Sequence, residues 1–506
     1  MQMKLKHNLS LSMIPLTNTS DYKKDGFKSI SFLLLAFTAS CAVGPDYKKP
    51  EAITAASFKE ASGWKEATPA DDAPRGSWWE VYNDPVLNTL EEQVATSNLN
   101  LQALANNYEQ SRQFARSDFT TFLPSASVSG STSHSESPVT KSSQGSISSS
   151  SSGLLSASWS PDFWGKVRRL TESDIAAAQV SAATFANARL SIQSTLALDY
   201  IQLRILDEKK RLIDKAVSNY SRTLKISQNK YAVGVAARRD VISSQAQLDA
   251  ARAQSIDVGV QRTQIEHAIA VLIGKTPSDV SIAIKPSLDL LPPSTPLTLP
   301  AKLLERRPDI AAAERLMAEQ NAKVGIQTAA YFPSITLTGS RGYQGSPISN
   351  LITSPFKVWS LGAAATDSIL DFGQKRDQVL AARAAYNSSV AAYRQTVLSA
   401  FQQIEDQLSN LRILEEESTI QSEAVNEAAE ASRIAQNEYA AGTVDYTTVV
   451  TAEATELADR ESSLSILQGR LNASVILIEG LGGGWTTAQL PTTSDVIFQH
   501  LESNQK

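Results

Sequence analysis

The chain has 506 residues, with 47 Lys and Arg against 52 Asp and Glu, 42% hydrophobic residues, four histidines and a single cysteine. One cysteine excludes an internal disulfide, and a net charge of −5 argues against a nucleic-acid partner. His7, His134, His267 and His500 are far apart in the chain and none has a metal-ligand or triad-like neighbourhood, so no enzyme, no metal site and no small-molecule cofactor are expected.

The first element is a leader. Lys4, Lys6, Lys23, Lys24 and Lys28 precede the apolar run "ISFLLLAF", then the small residues Thr38, Ala39 and Ser40, then Cys41. This order predicts a signal peptide over residues 1–40 whose apolar part is too short for a stable membrane-spanning helix. A cysteine directly after the small residues resembles a bacterial lipobox. Cys41 would then be the mature N-terminus, carrying a diacylglycerol and an N-acyl chain such as palmitate. Ala42 rather than Asp follows it, which leaves the outer membrane open as destination. Removing the five lysines and two aspartates of residues 1–40 leaves 42 basic and 50 acidic residues, a net charge of −8.

Beyond Cys41 the chain reads as one plan used twice, at an offset of 208–209 residues. "FLPSASVSGS" (Phe122–Ser131) matches "YFPSITLTGS" (Tyr331–Ser340). "PDFWGKVRR" (Pro161–Arg169) matches "LDFGQKR" (Leu370–Arg376), and "KYAVGVAARRDVISSQA" (Lys230–Ala246) matches "EYAAGTVDYTTVVTAEA" (Glu438–Ala454). Each copy reads as a helix, a strand pair and a very long helical hairpin. The expected units are an N-terminal segment with the first repeat over 41–290, the second repeat over 291–480 and a tail over 481–506.

Alternation predicts strands at Ser125–Glu136, Leu154–Phe163, Ser334–Tyr343 and Lys357–Phe372, with the serine-rich 137–152 as a loop. Each pair leads into a proline-free stretch, 162–276 and 356–490. In the second, apolar residues from Val379 through Tyr393, Phe401 and Leu408 to Leu414 recur at steps of three and four, as on a packed helical seam. A helix from Gly165 to Tyr231 would run about 100 Å. "YAVG" (Tyr231–Gly234) and "YAAG" (Tyr439–Gly442) end the long helices with glycine, so they mark hairpin tips. Four strands cannot close a membrane barrel, for which bacterial examples need about eight, and open edges cannot face lipid. Spanning strands therefore require two, three or four copies.

The stretches "CAVGPDYKKP", "SWWEVYNDPVLNTL", "SWSPDFWGKVRR", "LLERRPDIAAAERLMAEQNAKVGIQTAAYFPSITLTG" and "TVLSAFQQIEDQL" resemble the outer-membrane efflux proteins of the TolC/OprM kind, nearest the lipoprotein branch often called the NodT family. The resemblance covers almost all of the mature chain. It implies a mainly α fold with β: a homotrimer with a 12-stranded barrel continued by a hollow periplasmic α-barrel. The trimer would dock a periplasmic adaptor (membrane fusion) protein and an inner-membrane pump, and small molecules would leave through the duct.

The resemblance also implies that the tips around Gly234 and Gly442 dock the adaptor and that the resting channel is closed there by Asp240 meeting Tyr439. Where many relatives carry acids after the second tip, this chain has Thr448 and Thr451, and Val444 replaces an arginine of some relatives. A ring of neutral hydroxyls loses much of the charge selectivity of a carboxylate ring. Two other readings are a protein-secretion duct of the same fold and a lipid-anchored coiled-coil scaffold. The scaffold explains Cys41 and the helices but not four strands at matched places.

Overall fold

The computed structural model describes residues 42–51, 58–60, 76–136, 138, 147–285, 287–293, 306–346, 348 and 351–498. The leader and Cys41 lie outside the described residues. Two short helices open the fold, α1 (Pro85–Ser97) and α2 (Leu99–Phe119). Asp84 caps α1 by accepting from the Val86 and Leu87 amides, with Pro85 in the first turn, and Asn98 caps α2.

Strands β1 (Ser125–Glu136) and β2 (Ile147–Trp159) follow, then the hairpin of α3 (Lys166–Ala232) and α4 (Arg238–Leu272). The second repeat has the same order: α5 (Pro308–Ala329), β3 (Ser334–Gly345), β4 (Lys357–Thr366), α6 (Gln374–Ala441) and α7 (Tyr446–Gly480), closed by the short α8 (Thr493–Phe498). With 67 and 68 residues, α3 and α6 each run about 100 Å.

The four strands form one antiparallel sheet in the order β1-β2-β3-β4. The pairs Ser125↔Ser158, Trp159↔Leu337 and Ser334↔Thr366 gather the start of β1, the end of β2, the start of β3 and the end of β4 at one end of the sheet. Every helix that the strands feed or follow attaches there. Within the protomer β1 and β4 are open edges, and Val128, Leu155, Trp359 and Leu361 are exposed.

Four strand limits differ from the sequence expectation: besides the two taken next, β2 ends at Trp159 rather than Phe163 and β3 at Gly345 rather than Tyr343. β2 begins at Ile147, so the serine run 148–152 is strand rather than loop. Alternation in hydrophobicity is absent there, but hydroxyls replace it: Ser131 pairs with Ser152 and Ser135 with Ser148, each at 2.8 Å. β4 ends at Thr366 rather than Phe372, because the Asp371 carboxylate accepts from the Gly373 and Lys375 amides and turns the chain into α6. Asp162 does the same for α3 through the Val167 and Arg168 amides.

The main core lies where α1, α3, α4 and α7 cross, around Leu87, Leu196, Tyr200, Ile269 and Leu471. A second runs along α6 and α5, with Tyr393, Val397, Ile404 and Met317 fully buried. The expected seam of α6 is therefore present. Arg307, just ahead of α5, pairs with Asp309 at 2.8 Å and donates to the Gly480 carbonyl at 2.9 Å, tying the start of α5 to the end of α7. Among the described residues no helix is long and apolar enough to cross a membrane.

Candidate functional site

Both hairpin tips are glycine-terminated. Gly234 (φ 79°) and Gly442 (φ 87°) hold the left-handed conformation that ends α3 and α6. The Gly442 amide donates to the Glu438 carbonyl at 2.9 Å and the Thr443 amide to the same carbonyl at 3.0 Å. A Cβ at either glycine would meet nothing within 4 Å. Both glycines are therefore held by backbone conformation and not by crowding.

Past the second tip, Asp445 caps α7, accepting from the Thr448 amide at 3.1 Å and its hydroxyl at 3.0 Å. Past the first, Asp240 sits inside the first turn of α4, whose N-cap is Ala237.

The repeat makes Tyr231 and Tyr439 equivalents, yet the structure places them oppositely. Tyr231 is 47% exposed, with Val233 and Val235 exposed beside it, whereas Tyr439 is 4% exposed. Tyr439 sits in a small core with Tyr446, Val449 and Ala435 that also takes in Ile226 of α3. Its hydroxyl pairs with Ser227 at 3.0 Å. Ser244 donates to Ser227 at 3.1 Å, or to the Asp240 main-chain carbonyl at 2.7 Å. The Lys230 ammonium lies 4.1 Å from the Tyr439 ring centroid and donates to the Tyr439 carbonyl. It thus supplies a cation where the last turn of α6 presents carbonyls, and a cation–π contact besides.

Within the protomer the Asp240 carboxylate is instead beside Arg239 at 3.6 Å. Asp240 and Tyr439 are brought together only through the two serines and a main-chain carbonyl. Thr448 and Thr451 are exposed on the opposite face of α7 from Tyr446 and Val449, and the Thr451 hydroxyl donates to the Thr447 carbonyl at 2.9 Å.

Sequence reasoning missed Ser227, Lys230 and Ser244. One signal was available: Lys230 and Glu438 occupy the same repeat position with opposite charge. It also missed Glu453, buried between α3, α6 and α7. One of its carboxylate oxygens accepts from Gln436 at 2.8 Å and Thr223 at 3.2 Å, while the other has no partner among the described residues.

Burial pushes the Glu453 carboxyl above the ordinary glutamate range and the nearby Glu456 adds to this, against the two hydrogen bonds that lower it. Its contribution to the packed junction is therefore complete below the ordinary glutamate pKa and is lost as pH rises through the raised value. Glu453→Gln, neutral throughout, should flatten the loss of thermal stability that rising pH brings above the ordinary glutamate range, measured by helical circular dichroism. An unchanged pH profile would exclude Glu453 as its source.

At the other end of the long helices, the segment after Cys41 is laid into the fold. The Val43 amide donates to the Trp164 carbonyl at 3.1 Å. Arg169, buried in α3, pairs with Asp46 at 2.7 Å, and Asn321 of α5 donates to the Pro45 carbonyl at 2.9 Å. Ala42 packs so closely on Gly165 that a Cβ there would come within 2.6 Å of the Ala42 Cα. No group of His, Cys, Asp or Glu that could hold a metal ion occurs among the described residues.

Comparison with known proteins gives one consistent result. The family described as outer membrane efflux protein matches residues 90–275 and 299–483, one match per repeat. The chain is 27% identical over 464 residues to the probable efflux pump outer membrane protein TtgC of Pseudomonas putida, covering 90% of this chain and 96% of that one. It is 28% identical over 441 residues to nodulation protein T of Rhizobium leguminosarum bv. trifolii, covering 86% and 91%. The solved outer-membrane channel OprN superposes with a TM-score of 0.83 at 26% identity, over 88% of this chain and 100% of that one.

Proposed function

Because the chain belongs to the outer membrane efflux protein family, we propose how its parts serve the duct of an efflux pump. It is the outer-membrane channel of such a pump, a conduit and not an enzyme. The observation that carries the finer reading is the four-stranded antiparallel sheet with two open edges, fused at one end to helical hairpins about 100 Å long. Lipid tolerates no open edge, so β4 of one copy must pair with β1 of the next. Three copies give twelve strands, within the range of bacterial barrels, and the two repeats per copy give a ring of approximate sixfold repetition.

The hairpins then form a hollow helical barrel across the periplasm, and small molecules delivered by an inner-membrane pump and a periplasmic adaptor pass out through it. The glycine tips, with their exposed Tyr231, Val233 and Val235, are the surface offered to the adaptor. Deleting the gene should sensitise cells to the compounds that the pump exports, and a plasmid copy should restore resistance. Unchanged sensitivity to every exported compound would overturn the role.

The lipid anchor belongs to the same reading. Ala42 and Val43 are pinned at Gly165 and Trp164, where β2 gives way to α3, and this supports an anchor just ahead of them. Cys41→Ser should abolish metabolic labelling with palmitate. Full labelling of that variant would exclude Cys41 as the modified residue.

A further inference from the structure

The junctions between strands and helices carry the internal repeat more closely than the helices do. Each strand pair begins after an aromatic-rich "FLP" or "YFP" and ends at a helix-capping Asp followed by Phe. Within one protomer, the hydrogen-bonded neighbours β2 and β3 bring such a pair of flanks together. Trp164, two residues after the capping Asp162, stacks on Phe332 with ring centroids 4.7 Å apart and planes 17° from parallel. The Trp164 indole N–H donates to the Pro333 carbonyl at 2.9 Å. That contact seals the base of the sheet between strands of the two repeats.

At the open edges the β4 flank has no such cover, and the β1 flank is covered only from within, by Phe119 edge-on against Phe122 at 5.6 Å and by the Trp159 indole N–H donating to the Phe122 carbonyl at 3.0 Å. After β4, Phe372 is 100% exposed, Ile369 93% and Leu370 82%. Phe372 also holds φ 50°, a left-handed conformation that a bulky residue adopts only at a cost. Before β1, Leu123 is exposed, and Phe119 and Phe122 line an open cavity of about 440 Å³ together with Ile175. The start of β1 and the end of β4 lie at the same end of the sheet. Antiparallel pairing of β4 in one copy with β1 in the next therefore sets these two apolar flanks side by side.

Resting on the trimeric reading above, we infer that the Ile369–Phe372 turn of each copy packs on Phe122 and Leu123 of the next, repeating between copies the seal that Trp164 and Phe332 make within one. The occupant is a second copy of this chain because only ring closure places a β1 flank beside a β4 flank. The contact is heterologous, and three rotations close it. An apolar turn of this exposure buried in a partner accounts for three large hydrophobic residues in a row of four, interrupted only by the capping Asp371.

The test uses the full-length lipoprotein in outer membranes. Leu123→Cys and Phe372→Cys in one chain, treated with a short bismaleimide, should give a covalent trimer on denaturing gels, whereas each single variant should remain monomeric there. Phe372→Ser should lower the temperature at which detergent-resistant trimers dissociate, and Phe372→Leu should restore most of it. Trimers of normal heat resistance in Phe372→Ser, with no cross-link in the double variant, would overturn the seal and leave the trimer standing. A native chain that migrates as a monomer before any substitution would instead overturn the trimeric reading.

Discussion

Lys230→Ala combined with Tyr439→Phe should open the resting channel. The pair removes a cation–π contact, a charge-assisted bond to the last turn of α6 and the Tyr439–Ser227 hydrogen bond. Together these contacts between α3 and α6 at the tip are worth about 2 kcal/mol, so if the tips form the gate that the family resemblance implies, the double variant should shift the closed-to-open ratio of each copy some thirtyfold. Single trimers in planar bilayers should conduct more, and cells should admit large antibiotics such as vancomycin. Tyr439→Phe alone should do less, since the ring and Lys230 remain.

Asp240→Asn separates two forms of the latch. In the protomer the Asp240 side chain is paired with Arg239 and not with Tyr439, so the amide should leave conductance nearly unchanged. If Asp240→Asn opens the channel as widely as the Lys230 and Tyr439 pair, an Asp240 contact made between copies carries the closure instead. Unchanged conductance in the double variant would remove the Lys230–Tyr439 lock altogether.

Gly442→Val should abolish most pump-dependent resistance while leaving trimers in the outer membrane. A Cβ at Gly442 meets nothing within 4 Å, so the substitution creates no clash inside the protomer. Its cost is the left-handed backbone, on the order of 1–2 kcal/mol, concentrated in the turn between α6 and α7. Helices of 68 and 35 residues packed on one another outweigh that locally. The tip would re-form in another shape, and a partner that reads the tip would lose its footing. Gly234→Val should act alike at the first tip. Normal resistance in a well-expressed Gly442→Val strain would remove this tip from the docking surface.

Much of this was legible in the residues themselves. Proline-free stretches, glycine at each tip and a repeat at one offset determine two long hairpins, because helix propagation and termination are local events. α3 at Lys166–Ala232 lies within a residue of the expected helix, and β1 at Ser125–Glu136 matches its expectation. The strands at the serine run and at Asp371 were less legible, since hydroxyl pairing across strands and a side-chain cap depend on a neighbour and leave no hydrophobic period.

The candidate gate divides in the same way. Tyr439, Gly442 and Asp240 could be named from the tips and the resemblance. Their partners could not, because Ser227 and Tyr439 are 212 residues apart and meet only when the two hairpins lie side by side. Repeat symmetry makes Tyr231 and Tyr439 the same residue in sequence. Packing of α3 on α6 and α7 buries one and exposes the other, and that choice belongs to the tertiary structure alone.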